Sequence, residues 1–263
     1  MATGIVTLTT DFGIGGPYVA AMKGVLLGMA PGIQLVDVCH TIAPQNILEG
    51  AFVLACIVDS FPAGTVHLVV VDPGVGTDRR LIATRLSDQW FVLPDNGLIS
   101  GVTRGHAAQG IWEISSPSIR RPVVSDTFHG RDILAPAAAY LVRGGDPTLL
   151  GPQVERFVTV RNFNPTPDDA NFVGEVIFRD NFGNLITNVN ASHLSERPAE
   201  DWTVEIAGER IGGLSRTYGA KPTGSLMALA GSSGWIEIAV VNGDAARHLT
   251  AGAGTTVWFR CKG

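Results

Sequence analysis

The sequence predicts an α/β amino-terminal domain with a mainly parallel central sheet, followed by a smaller all-β, barrel-like carboxyl-terminal domain. Strand-like and helix-like stretches alternate through the first half, whereas from Phe172 onward short apolar runs follow one another with turn residues between them. The boundaries implied are 1–150 for the α/β domain, 151–170 for a linker within a stretch rich in Pro, Asp and Asn, and 171–263 for the barrel. With 263 residues, 45% of them hydrophobic and 16% charged, the chain can bury a sizeable core.

The elements follow in order. "GIVTLTTD" (Gly4 to Asp11) reads as a buried strand, and Pro17 suits the first turn of a helix running to about Met29. "IQLVDV" is a second strand, and "NILEGAFVLACIVDSF" places apolar residues at helical spacing. "TVHLVVVD" (Thr65 to Asp72) lacks alternation, which predicts burial on both faces. "RLIATRL" and "WFVLPDNG" add two strands, and "GRDILAPAAAYLVRGG" is a helix stopped by glycines. In the second half the strands are "FVGEVIFRD", "LITNV", "WTVEIAG", "SLMALAG", "WIEIAVV" and "TTVWFRC", with "DAARHL" as the one helical stretch.

A net charge of -5 gives no basic footprint, so nucleic acid is not an expected partner. No apolar run approaches the roughly 20 residues that span a bilayer, and no secretory signal opens the chain. Cys39, Cys56 and Cys261 are odd in number and scattered, which reads as reduced thiols in a cytoplasmic protein. The histidines (40, 67, 106, 129, 193 and 248) show no HExxH or paired spacing and there is no CxxC, so no metal site is expected. P-loop and GxSxG patterns are absent, and "DFGIGGPY" does not fit GxGxxG.

Ligands of open α/β sheets bind at the carboxyl ends of the strands. Asp11, Asp72 and Asp95 each end a predicted strand. In "VVVDPGVGTDRR" the Pro-Gly-x-Gly turn allows Arg79 to fold back on Asp72, either as a turn-stabilising salt bridge or as part of a site. "SDTFHGRD" puts His129 at a helix entrance among Asp126, Arg131 and Asp132, the two acids reading as capping and pairing residues. "RDNFGNLITN" reads as a hairpin turn or as a polar pocket with an aromatic wall, in which Asp180 suits an ammonium group and Phe182 with Asn184 a nucleobase.

In order, "TTDFG", "VVDPGVGTxRR", "LPDNG", "TFHGRD", "DNFGNLITN" and "EIAV" resemble the S-adenosyl-L-methionine (SAM) hydroxide adenosyltransferases, or SAM hydrolases, relatives of the fluorinase and chlorinase. The resemblance covers nearly the whole chain. It implies an α/β domain followed by a β-barrel, a homotrimer with the ligand between neighbouring subunits, and no cofactor, SAM being the substrate. The implied reaction is attack of a water-derived nucleophile at ribose C5′, releasing adenosine and L-methionine, and some members prefer the R epimer at sulfur. The family's catalytic set matches Asp72, Arg79 and His129. Asp11 matches the acid that holds the ribose hydroxyls, Asp180 the acid that takes the methionine ammonium, Phe182 and Asn184 the adenine-side residues, and Ser232 resembles a serine near the methionine carboxylate; Asn96 has a structural reading. The halide-using relatives carry tyrosine at Asp72, threonine at Val75, tyrosine at His129 and a ribose-stacking tryptophan at Gln45, so this chain has the hydrolase residue at the first three places. The alternatives are a halide-dependent adenosyl transferase, a non-catalytic SAM or adenosine binder, and a SAM methyltransferase suggested by the glycines after the first strand.

Overall fold

The fold is described from a computed structural model that covers residues 4–104 and 107–262. The chain divides into two compact units, Met1–Val160 and Arg161–Gly263. In the first, β1 (Ile5–Thr10), α1 (Tyr18–Met29), β2 (Gln34–Cys39), α2 (Ile47–Ile57) and β3 (Val66–Val70) alternate as the sequence predicts. They are followed by β4 (Leu81–Leu86), β5 (Gln89–Pro94), β6 (Ala108–Glu113) and α3 (Ala135–Val142). The sheet has six strands in the order β2-β1-β3-β5-β4-β6. The pairs β1–β2, β1–β3 and β3–β5 are parallel, while β4 pairs antiparallel with β5 and β6.

Two helical layers cover this sheet. Met22 and Leu26 of α1 and the alanines of α3 pack with Val66, Leu68 and Val70 on one face. Leu54 of α2, with Leu98 and Val102 of a 3-10 turn, packs with Val69 and Val71 on the other. Every residue of β3 is consequently buried, which is why its apolar run does not alternate. The segment 151–170 is divided between the units. Val154 N–H donates to the Ile111 carbonyl and Val160 N–H to Ser100 Oγ, strapping the stretch to the first unit. From Arg161 onward it belongs to the second unit, where β7 (Thr166–Asp168) pairs with β8 (Asn171–Arg179).

The second unit continues with β9 (Leu185–Asn190), β10 (Trp202–Ile206), β11 (Glu209–Gly212), β12 (Leu214–Ser215), β13 (Leu226–Ala230), β14 (Trp235–Val240), α4 (Ala245–Leu249) and β15 (Thr256–Cys261). Its sheet follows the path β11-β10-β15-β8-β9-β14-β13-β12, with β7 added beside β8. The two ends of the path, β11 and β12, are joined in sequence through Gly213 alone, at φ +72°, so the sheet curls into a nearly closed barrel. Val176, Trp202, Val204, Ile236, Val257 and Phe259 fill it, and α4 adds Ala245, Ala246 and Leu249.

One histidine belongs wholly to the core. His67 of β3 stacks on Phe91 and is fully buried. Gln89 Nε2 donates to the carbonyls of Val58 and Phe61, which turns its Oε1 toward His67 Nε2, 2.8 Å away. His67 Nε2 therefore carries the proton, and Nδ1 accepts from the Thr7 hydroxyl at 2.8 Å. Burial pushes this ring from 6.5 down to about 4, against the opposing effect of the Gln89 bond. Between those values the unfolded chain binds the proton and the folded chain does not. Stability from this ring is complete above pH 6.5 and falls as pH drops toward 4, by roughly 3 kcal/mol. Urea midpoints at pH 7 and pH 4.5 should differ, and in His67→Gln the difference should narrow; an unchanged pH slope in that variant would remove the ring as its source.

Candidate functional site

The buried strand β3 ends by delivering Asp72 into a tight turn. Val75 N–H closes it on the Asp72 carbonyl, and Thr77 N–H on the Gly74 carbonyl. At Gly74 a Cβ would lie 3.1 Å from Arg79 Cδ, a tight contact that a side chain could make only if Arg79 gave way. Gly76, at φ +79°, could carry none, since its Cβ would sit 2.6 Å from the Asp126 carbonyl oxygen. Gly74 thus lies close against the folded-back Arg79 side chain, and Gly76 against the loop before His129. Arg79 Nε lies 2.9 and 3.1 Å from the two Asp72 oxygens and its Nη2 2.5 Å from Oδ2. The side chains are only 6% and 12% exposed, so this is a shielded, forked ion pair.

Arg79 also reaches His129. Its Nη2 lies 2.9 Å from His129 Nδ1. A guanidinium has no acceptor, so Nδ1 must accept and the ring is neutral with its proton on Nε2. Burial, and then the charge of Arg79, hold His129 below its usual value, against the pull of Asp72, Asp126 and Asp132. The helix that follows begins with a π turn, Gly130–Leu134. Gly130 packs against Val70, where a Cβ would come within 3.2 Å of its side chain. Asp132, fully buried, anchors the preceding loop by accepting from Arg131, Arg121 and Ser125 N–H. Burial alone would raise this carboxyl, but the bonds from Arg131, Ser125 and Arg121 outweigh it and hold it at about 2.

Asp72, His129 and Asp11 border one cleft of about 410 Å³ at the carboxyl ends of β1 and β3, with Gln45, Val75 and Phe128 among its walls. Asp11 Oδ2 accepts from Gln45 N–H at 2.8 Å. Phe12, Tyr18 and Phe128 meet edge-on or tilted, with centroids 5.5–5.8 Å apart, and form the aromatic side of the cleft. The third strand-end acid belongs elsewhere: Asp95, with a side chain 1% exposed, takes Arg80 and the Val158 N–H and anchors the loop after β5. Asn96 donates to the Val71 carbonyl, a structural bond that steadies the backbone just before Asp72.

In the second unit, Asp180, Phe182 and Asn184 form the turn between β8 and β9. Asp180 Oδ1 accepts from the N–H groups of Phe182 and Asn184, and Oδ2 from Asn184 Nδ2. Gly183, at φ +84°, leaves room for Asp244, which caps α4. The turn thus holds itself rigid and presents the Phe182 ring 79% exposed. Ser232 sits exposed in the turn between β13 and β14. Tyr218 and Glu237, absent from the sequence-based site, lie in the same unit: the Tyr218 hydroxyl donates to Glu237 Oε2 at 2.5 Å. Burial, that bond and the charge of Asp180 push the phenol above its usual range. Among the described residues no group of three His, Cys, Asp or Glu side chains is placed to hold a metal ion, and His106 lies outside them.

Comparison with known proteins matches residues 6–151 to the SAM hydroxide adenosyltransferase N-terminal domain and residues 174–258 to the corresponding C-terminal domain. The chain is 37% identical over 252 residues to the (R)-S-adenosyl-L-methionine hydrolase of Salinispora arenicola, covering 95% of each protein. It is 29% identical over 219 residues to a fluorinase of Nocardia brasiliensis, covering 73% of each. The crystal structure of an uncharacterized conserved protein from Thermotoga maritima superposes with a TM-score of 0.89 at 33% identity, covering 98% of this chain and 100% of that one.

The geometry fixes a spectroscopic expectation. Nitrogen-detected NMR of His129 should show the Nε2–H tautomer at pH 7 and a titration midpoint below 6.5. Arg79→Met should raise that midpoint, because it frees Nδ1 and leaves Asp72 uncompensated. A parent midpoint at or above 6.5 would contradict the arrangement.

Proposed function

Because the chain belongs to the SAM hydroxide adenosyltransferase family, we propose that it hydrolyses S-adenosyl-L-methionine to adenosine and L-methionine. The observation that carries this reading is the Asp72–Arg79–His129 network bordering the same cleft as Asp11. The oxygen of water attacks ribose C5′ as the C5′–S bond breaks. The bonding pair passes to sulfur, so the sulfonium leaves as a neutral thioether, and the water surrenders one proton. Arg79 has no lone pair, and the acceptor nitrogen of His129 is already taken by it. Asp72 is left as the group that orients the water and accepts its proton, with Arg79 supplying positive field and His129 Nε2–H donating into the cleft.

Asp11 takes the ribose hydroxyls in this reading. Asp180 takes the methionine ammonium, Phe182 and Asn184 the adenine, and Ser232 the methionine carboxylate. The complete site is proposed to form in a homotrimer, at the interface between neighbouring subunits. The exposed apolar side chains Ile14, Tyr18 and Phe182 support burial by a neighbour. The cytoplasm is the proposed compartment, on the odd number and scatter of the cysteines; no helix among the described residues is long and apolar enough to cross a membrane.

Incubation with mixed-epimer SAM, with and without chloride, followed by chromatography, tests the activity. Adenosine and methionine should rise together, independently of chloride, and the residual SAM reports which epimer is consumed. A chlorinated nucleoside would establish the halide-dependent alternative, S-adenosylhomocysteine a methyltransferase, and retained but intact SAM a binding protein. Asp72→Ala, Arg79→Ala and His129→Ala should each lose about 10²- to 10⁴-fold in turnover while still binding SAM. Near-parental rates in all three would remove the mechanism.

A further inference from the structure

A second hydrogen-bonded chain in the first unit runs from the cleft toward the surface and is not used by the reaction described above. Thr10, the last residue of β1, is fully buried and lies opposite Val70, a wall of the cleft. Its Oγ1 is 2.9 Å from His40 Nδ1. His40 Nε2 is 3.0 Å from Asp37 Oδ1, and Lys23 Nζ donates to Asp37 Oδ2 at 2.6 Å. An ionised carboxylate only accepts, so Nε2 carries a proton toward Asp37, and in the neutral ring Nδ1 accepts from the Thr10 hydroxyl. The lone pairs of that hydroxyl face Phe12 N–H at 3.3 Å, and the His40 carbonyl accepts from Gly13 N–H at 2.7 Å.

His40 therefore grips residues 10–13 twice, by its ring and by its backbone. Asp11 lies inside that grip. From the other side it is tied to the loop after β2, where Gln45 N–H donates to Oδ2 from a residue held at φ +65°. Asp11 Oδ1 accepts no bond from the described residues. One carboxylate oxygen is fixed and the other is turned loose for a ligand, a division that depends on the loop not moving.

We propose that His40 is a positioning residue for substrate. Through Thr10 it sets the Asp11 carboxylate against the ribose hydroxyls, with Asp37 and Lys23 holding its tautomer. The proposal rests on the reading of Asp11 as the ribose acid. It predicts a defect in ribose recognition, where a merely structural histidine would weaken folding without regard to the ligand's hydroxyls.

Calorimetry with adenosine and with 2′,3′-dideoxyadenosine reads this out. Thr10→Val and His40→Leu should each weaken adenosine by about 10-fold, the scale of one lost buried hydrogen bond, and leave the dideoxy compound within about 2-fold. His40→Asn, whose amide oxygen can occupy the place of Nδ1, should restore most of the adenosine affinity. With SAM, KM should rise about 10-fold in Thr10→Val while kcat stays within about 3-fold. Equal losses for both nucleosides, or no rescue by asparagine, would overturn the proposal. Asp11→Asn is the control. If it shows the same discrimination and Thr10→Val does not, the role of His40 fails and that of Asp11 stands. If Asp11→Asn loses both nucleosides equally, the ribose reading fails and takes the proposal with it. The nucleoside measurements need no turnover, so they decide this point separately from hydrolysis.

Discussion

A carboxylate at the end of a strand buried on both faces must find a cation or lose its charge, and the first unit is arranged around that constraint. β3 cannot bend away, because each of its residues packs into one helical layer or the other. Asp72 therefore emerges at a fixed point. Breaking a buried pair by removing one partner typically costs about 3–5 kcal/mol. Arg79 meets this need from seven residues on, across a turn in which Gly74 lies close against its side chain and Gly76 against the Asp126 carbonyl. The second N–H of its Nη2 then dictates the tautomer of His129. One guanidinium thus pairs with the acid and fixes the tautomer of the ring beside it.

The same solution recurs at two other loops of the first unit. Arg80, the next residue, turns to Asp95, and Arg121 and Arg131 converge on Asp132. Each acid is nearly or fully buried and also accepts a backbone N–H, from Val158 and Ser125 respectively. These pairs hold loops rather than elements, which is what a site on loops above a rigid sheet requires. Short-range stiffness of this kind keeps the edge of His129 aimed without any contact from a ligand.

Much of this was legible in the sequence because it is local. The helical spacing of α2, the unbroken apolar run of β3 and the turn glycines after Asp72 are all contained in stretches of a dozen residues. The Asp72–Arg79 pairing followed from that turn, and the hairpin at Asp180 from its Asx and glycine content. What stayed hidden is non-local or weakly patterned. β7 is a fully exposed Thr-Pro-Asp, β6 contains a glycine under Trp112, and β12 has two residues. Their strand character comes from the neighbour they pair with, not from their own side chains. Asp95 has the sequence setting of a third site acid, but Arg80 and the Val158 N–H, distant in sequence, enclose it. His40 gave no signal because its partners, Thr10 and Asp37, lie on two different strands.

The distribution of partners among the acids also bears on the proposed chemistry. SAM enters as a sulfonium cation and leaves that charge behind only as the C5′–S bond breaks. A bare carboxylate beside the sulfur would stabilise the ground state more than the transition state and slow the reaction. Asp72 avoids this, since both its oxygens are committed to Arg79 and the pair is neutral as a unit. It retains lone pairs for a water while contributing little net field at the sulfur. Asp11, by contrast, holds one oxygen on a backbone N–H and has no partner for the other among the described residues, which suits contact with neutral hydroxyls. In the proposed mechanism two strand-end aspartates thus take different work from their partners: the one paired with a guanidinium orients the water, and the one held by a single N–H faces the ribose hydroxyls.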